Sequence, residues 1–166
     1  WLRFHPFSLH SQAAFISCCQ TRNNIILQKL ACYFMTHLIK LSSFFNQKTV
    51  LITGHTGFKG AWLTTWLTQL GARVVGLALD PPSNPSHFDS ARLSKNIVDY
   101  RIDINSYVQV EEVILTNQPD FVFHLAAQSL VGESYSKPLK TWYTNVLGTL
   151  HVLEALRKLD KPCIAI

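Results

Sequence analysis

The sequence predicts an α/β fold built on a doubly wound parallel sheet. Three observations carry that expectation. Short apolar runs alternate with stretches of helical period. A glycine-rich turn, Thr53-Gly54-His55-Thr56-Gly57-Phe58-Lys59-Gly60, joins the first apolar run to the first helical stretch. An acid, Asp80, closes the second apolar run.

The elements follow in order. Thr49–Thr53 is a short apolar run bounded by Lys48 and Gly54, which reads as a buried strand. Phe58–Leu70 reads as a helix, because Trp62, Leu63, Trp66, Leu67 and Leu70 recur at three- and four-residue spacing. Trp62 and Trp66 are expected in the core, and Gly71 supplies a stop signal. Arg73–Leu79 is the second strand. Pro81, Pro82 and Pro85 are expected to keep "DPPSNPSHFDS" out of regular structure. Ile97–Ile102 is the third strand. Ser106 with Gln109 resembles a capping box opening a helix through Leu115, closed by Pro119. Phe121–Ala126 is the fourth strand. Pro138 fits the first turn of a long helix to about Leu159, with Val146, Leu147, Leu150, Leu153 and Leu156 on its apolar side. Cys163–Ile166 begins a fifth strand, and the sheet is read as truncated within it. Apolar strands alternating with helices imply a parallel sheet covered on both faces.

Composition narrows the function classes. The chain has 166 residues and a formal charge of +5. Of its 15 Lys and Arg, five precede Thr49, and every one of the 10 acids lies at Asp80 or later. From Thr49 onward the charges therefore balance, which argues against a nucleic-acid partner, since that needs a basic face within the domain. Cys18, Cys19, Cys32 and Cys163 include no pair at zinc-ligand spacing and suggest no disulfide framework. A metal site is not expected, and a reducing cytoplasm fits. Cys163 reads as a buried structural thiol.

Residues 1–34 have no acid and no clear period. Their apolar stretch is broken by Lys29 and is too short to span a bilayer, so no membrane association is expected. They have the acid-poor character of a transit peptide. The simpler reading is upstream sequence, because Met35 is the sole methionine and opens an amphipathic lead-in to the first strand. Residues 35–166 are then the fold. N-terminal mass analysis of the expressed protein checks this boundary, and a product beginning at Trp1 would refute it.

The glycines have distinct expected roles. A strand passing through a tight turn into a helix leaves the first helical N–H groups unpaired, and the helix dipole favours an anion there. Gly54 lets the chain turn, Gly57 lets a pyrophosphate approach the backbone, and Gly60 lets the helix pack closely. These roles match the dinucleotide fingerprint of a Rossmann-type fold, with one extra residue in the first interval. Asp80 stands where an acid accepts hydrogen bonds from a ribose; the alternative is a turn aspartate before Pro81. A carboxylate there repels a 2′-phosphate, and Pro81-Pro82-Ser83 offers no arginine, so NAD is favoured over NADP. Asp103 is placed to meet an adenine edge or to serve as a loop acid or helix cap. Ala126 and Ala127, leaving the fourth strand, let a cofactor pass closely or merely pack tightly. His124 reads as a core histidine. Asn145 faces either a site or solvent.

Together "TGHTGFKGAWLTTWL", "ALDPP", "DIN", "HLAAQSLVGESY" and "TNVLGT" resemble the extended short-chain dehydrogenase/reductase family. His55, Lys59 and the "HLAAQ" run look most like its CDP-glucose 4,6-dehydratases. The resemblance implies that Gly54, Thr56, Gly57, Phe58, Lys59 and Gly60 line the pyrophosphate and that Asp80 holds the ribose. It implies that Asp103 and Ile104 flank adenine and that Leu125, Ala126, Ala127 and Gln128 line the cofactor. Asn145 would support the active site. Similar enzymes use NAD⁺ as an internal relay: hydride leaves the sugar C4, water is eliminated across C5 and C6, and the hydride returns to C6.

Their Ser/Thr-Asp-Lys and Tyr-x-x-x-Lys sets do not occur in this chain, and Gly132 stands where related dehydratases carry arginine. The chain is therefore expected to be the N-terminal cofactor-binding part of a longer enzyme, inactive alone and homo-oligomeric at full length. The alternatives are another nucleotide-sugar epimerase or dehydratase, a non-catalytic NAD-binding sensor, and a gene remnant.

Overall fold

Five parallel strands form one sheet among residues 25–166, which the computed structural model describes. They are β1 (Thr49–Thr53), β2 (Arg73–Ala78), β3 (Val98–Arg101), β4 (Phe121–His124) and β5 (Ile164–Ala165), in the order β3-β2-β1-β4-β5. β1 is central, with Val50 opposite both Val74 and Phe121. Val50, Leu51 and Ile52 have no exposed surface, as a near-continuous apolar run requires in a strand covered on both faces. The chain order runs outward from β1 to β3, then reverses to β4. That reversal puts a crevice between the carboxyl ends of β1 and β4, where ligands bind in open α/β sheets. The doubly wound Rossmann-type fold expected from the sequence is the fold found.

The helices are α1 (Ile25–Phe45), α2 (Phe58–Gln69), α3 (His87–Ser90), α4 (Tyr107–Asn117), α5 (Val131–Ser136), α6 (Pro138–Trp142) and α7 (Gly148–Arg157). A π-helical segment, Tyr143–Leu147, joins α6 to α7. The chain divides into two compact units, one ending at Phe44 and one from Phe45 to Ile166. The backbone of α1 is helical across Met35; residues 1–24, which hold most of the expected leader, lie outside the described residues. Among the described residues, no helix is long and apolar enough to cross a membrane.

The second unit has its main core between the sheet and α4 and α7. Leu51, Val75, Leu77, Ile104, Val110, Val113, Ile114, Val122, Val152 and Ala155 form it. A smaller cluster joins Ala61 to Phe88 and Leu93.

Four expectations need correction. Trp62 and Trp66 are about half exposed, at 53% and 49%. The face of α2 that packs inward is Gly60, Ala61, Thr64 and Leu67, because small residues let a helix sit close to the sheet. Similarly α7 buries Gly148, Val152 and Ala155, while Leu150 and Leu153 are about half exposed. The stretch after β2 is not wholly irregular. Ser86 caps a helical turn at His87–Ser90 by accepting the Asp89 N–H at 3.0 Å, beyond the last proline. Ser106 makes no capping bond. Its backbone N–H donates instead to the Asp103 carbonyl at 2.9 Å, in a turn that the Asp103 carboxylate also closes.

Candidate functional site

The turn after β1 shapes one wall of the crevice. Gly54 has φ of +76°, a left-handed conformation that glycine adopts without strain. A Cβ on Gly54 would also lie 2.9 Å from the Ala126 nitrogen, so the turn and the segment after β4 are in close backbone contact. Gly60 has a stricter requirement. Its Cβ would fall 2.1 Å from the Gly54 carbonyl oxygen and 2.7 Å from the His55 Cα. The third glycine thus packs the helix against the turn itself. The first intrahelical bond of α2 runs from the Ala61 N–H to the Gly57 carbonyl at 2.8 Å. The N–H groups of Phe58, Lys59 and Gly60 precede it and have no intrahelical acceptor. A Cβ on Gly57 would meet only the Gly54 oxygen at 3.4 Å, so the space over the turn is open. Phe58 is 76% exposed and Lys59 is exposed.

Two side chains fix this turn. The Thr56 hydroxyl donates to the Leu79 carbonyl at 2.9 Å and ties the turn to the residue before Asp80. His55 is fully buried, with Nε2 2.8 Å from the Asp99 carboxylate. Its ring lies over Gly76 of β2, where a Cβ would approach within 2.5 Å. The Phe88 ring meets it edge-on at 5.2 Å. Burial pushes the His55 pKa down, and the Asp99 carboxylate partly offsets that. The other Asp99 oxygen accepts two bonds from Arg101, at 2.9 and 3.2 Å. Arg101 Nη1 then lies 3.5 Å from the Asp80 carboxylate, and the guanidinium covers Phe88 at 4.8 Å. A chain of charged and polar groups thus links the glycine turn to Asp80. Periodicity gave no signal for it, since Asp99 and Arg101 lie in a strand far along the chain.

Asp80 is fully presented to solvent, with its side chain 91% exposed. Asp103 accepts from the Asn105 backbone and side-chain amides at 2.9 and 3.0 Å, as a loop acid does. Ile104 is 5% exposed, and its side chain packs where a Cβ on Gly148 would stand. Its side chain is therefore directed into the core, and its carbonyl lies 3.0 Å from His151 Nδ1.

On the opposite wall, the residues after β4 are held from two directions. The backbone N–H groups of Leu125 and Ala126 both donate to the Thr53 hydroxyl at 3.1 Å. The Gln128 N–H donates to Asn145 Oδ1 at 2.7 Å, and Asn145 Nδ2 donates to the Gln128 carbonyl at 3.0 Å. Asn145 therefore faces the loop rather than solvent. It sits in the π segment, an insertion found frequently at functional sites. The Gln128 amide donates to Leu130 O and Thr141 Oγ1, both at 3.1 Å. Ala127 is exposed between these anchors.

The arrangement is a helix start with N–H groups that have no intrahelical acceptor, an exposed carboxylate after β2 and a tightly held loop after β4. Comparison with known proteins agrees with it. The family described as GDP-mannose 4,6 dehydratase matches residues 51–165. The chain belongs to the extended short-chain dehydrogenase/reductase family. Among relatives, CDP-glucose 4,6-dehydratase of Salmonella typhimurium is 46% identical over 116 residues, covering 70% of this chain and 32% of that protein. UDP-glucose 4-epimerase of Thermus thermophilus, solved with NAD, has a TM-score of 0.59 at 30% identity, over 66% of this chain and 34% of that one. The Stenotrophomonas maltophila UDP-glucose 4-epimerase, solved with NAD and a formylated UDP-arabinopyranose, has a TM-score of 0.60 at 28% identity, over 67% of this chain and 34% of that one. This family member spans about a third of the length of the relatives it matches.

Proposed function

We propose that the chain is the cofactor-binding part of a nucleotide-sugar 4,6-dehydratase that converts CDP-glucose to CDP-4-keto-6-deoxyglucose. The observation that carries the NAD reading is the open space over Gly57, bounded by the unpaired N–H groups that begin α2. That is the chemistry a pyrophosphate needs. Asp80 is exposed and, although Arg101 lies 3.5 Å away, has lone pairs left to accept from ribose hydroxyls, so the residues present fit NAD. The CDP-glucose assignment is supported by the 46% identity with the Salmonella enzyme.

When bound, NAD⁺ supplies the acceptor and donor of a hydride exchanged with the sugar. The chain's own residues bind and orient. The α2 N-terminus holds the negative charge, Asp80 fixes the ribose, and the loop from Leu125 to Gln128 shapes the far wall. No Tyr-x-x-x-Lys occurs in the sequence, so these 166 residues alone are expected to bind NAD⁺ without turning over CDP-glucose. Turnover of CDP-glucose by the purified chain would refute the inactivity, and failure to bind NAD⁺ would refute the cofactor reading. The proposal keeps a cytoplasmic location and a homo-oligomer of the longer protein. The latter is supported by the exposed apolar stripe of Leu139, Trp142, Tyr143, Leu150 and Leu153.

A second reading, nucleotide-sugar epimerase, is favoured by a 33% identical UDP-glucose 4-epimerase among the relatives. The product formed from each nucleotide sugar by the longer protein separates the two.

Asp80→Ala is expected to weaken NAD⁺ binding about tenfold, the size of one charge-assisted hydrogen bond. It should also narrow the gap to NADP⁺. Arg101, only 3.5 Å from the removed carboxylate, would then face the 2′-phosphate with its charge offset by Asp99 alone. Parallel titrations with NAD⁺ and NADP⁺ measure both effects. An unchanged NAD⁺ affinity would remove Asp80 from the site.

A further inference from the structure

His124 sits at the end of β4, and its two ring nitrogens reach different elements. Nδ1 is 2.8 Å from the Thr53 hydroxyl, in the residue before Gly54. Nε2 is 3.0 Å from the Thr149 hydroxyl in α7. Thr149 in turn donates to the Asn145 carbonyl at 2.6 Å, within the π segment.

Hydrogen-bond bookkeeping fixes the direction of every bond in this chain. Thr53 Oγ1 already accepts the N–H groups of Leu125 and Ala126. The Leu125 N–H is shared with the Thr53 carbonyl, also at 3.1 Å, so the direction is set at the other end: Thr149 spends its one proton on the Asn145 carbonyl and must accept from His124 Nε2, which leaves Nδ1 to accept the Thr53 proton. An accepting Nδ1 carries no proton, so a neutral imidazole carries its proton on Nε2 and donates it to Thr149. The short 2.6 Å contact from Thr149 to the Asn145 carbonyl marks where the Thr149 proton goes. Burial holds the His124 pKa below the ordinary imidazole value, which agrees with a neutral ring. A protonated ring would turn Nδ1 into a further donor facing the Thr53 hydroxyl, which already accepts the Ala126 N–H and shares that of Leu125.

The three segments joined in this way are the ones that border the crevice. They are the strand end leading into Gly54, the backbone of Leu125 and Ala126, and the π segment whose Asn145 clamps Gln128. We propose that His124 is a positioning residue, which as its Nε2–H tautomer holds these segments in register for the cofactor. It does so through Thr53 and Thr149. The proposal rests on the NAD reading above.

Thr149→Val and Thr149→Ser, made in the full 166-residue chain, test it by NAD⁺ titration. Valine keeps the shape of threonine and loses the hydroxyl; serine keeps the hydroxyl and loses the methyl. A positioning role predicts about fivefold to tenfold weaker NAD⁺ binding for Thr149→Val and near-parental binding for Thr149→Ser. A packing role predicts the reverse order, and that order would overturn the proposal. Long-range ¹H–¹⁵N NMR of His124 in the parent chain is a separate readout that does not depend on a variant folding. It should show a protonated Nε2 and a bare Nδ1; a proton on Nδ1 would overturn the proposal. A parent chain that does not bind NAD⁺ removes the cofactor reading and this proposal together. A parent that binds, with a Thr149→Val variant that binds equally well, removes this proposal alone.

Discussion

Gly60→Ala is expected to destabilise the fold by about 3 kcal/mol or more, at the upper end of overpacking costs. The added Cβ would stand 2.1 Å from the Gly54 carbonyl oxygen, which is backbone and cannot rotate away. Relief requires α2 to move off the turn. That movement disturbs the packing of Ala61 and Leu67, both essentially buried, and parts Ala61 from Phe88 and Leu93. A loss of this size is a large share of the roughly 5–15 kcal/mol that stabilises a domain. Gly57→Ala is the informative companion. Its Cβ would meet only the Gly54 oxygen at 3.4 Å, and its backbone, φ −72° and ψ 168°, suits any residue. The two substitutions lie one helical turn apart and should separate cleanly. Thermal melting should show Gly60→Ala strongly destabilised and Gly57→Ala close to the parent. NAD⁺ titration should show Gly57→Ala impaired, because its methyl group occupies the space over the turn. A Gly60→Ala chain that melts like the parent would show that the turn and helix are not packed as described.

The strands and the glycine turn were legible because each rests on a local rule. Val50–Ile52 is apolar without alternation, as a doubly covered strand must be, and Gly54 is followed by a helix whose start is otherwise uncapped. The faces of the helices were not legible in the same way. Counting large apolar residues in α2 selects Trp62 and Trp66, yet the buried stripe runs through Gly60, Ala61 and Thr64. The sheet needs small side chains beneath a close-packed helix, so bulk is displaced to the flanks. Trp62 covers His87 there, with the rings stacked at 4.1 Å. In α7 the same displacement leaves Leu150 and Leu153 on the surface.

The site divides along similar lines. Gly54, Gly57, Gly60 and Asp80 were readable because they are spaced within one β-α-β unit. Residues that hold them were not, since Asp99 meets His55 from 44 positions away and Asn145 meets Gln128 across 17. The His55 ring is compatible with β2 only because residue 76 is glycine, a pairing invisible without the register. Arg101 illustrates the limit most sharply. Pro81-Pro82-Ser83 offers no arginine, yet β3 brings one to Asp80.

Asp99→Ala is expected to cost about 2–3 kcal/mol, the penalty for leaving a buried polar group unsatisfied plus a lost ion pair. His55 is fully buried, and Asp99 supplies the 2.8 Å hydrogen bond to its Nε2. Arg101 also loses the two bonds that hold it over Phe88. Asp99→Asn keeps an acceptor for the His55 N–H and should cost less, which separates the hydrogen bond from the charge. The pH dependence gives a second signature. Burial sets the folded His55 pKa below its ordinary 6.5, so the unfolded chain takes up a proton first as the solution is acidified. The stability contribution is full above about 6.5 and is lost as pH falls from there through the folded value. His124, lowered by burial, acts with the same sign. The depressed carboxylates of Glu111 and Asp120 also lose stability in acid, but only below their ordinary values of 4.5 and 3.8. Removing the Asp99 charge takes away the influence that raises the His55 pKa, so the folded value drops further. Both Asp99 variants should therefore lose stability over a wider acid range than the parent. Melting curves between pH 5 and 8 measure this. A variant whose midpoint follows the parent's pH profile at a constant offset would show that His55 and Asp99 are not coupled.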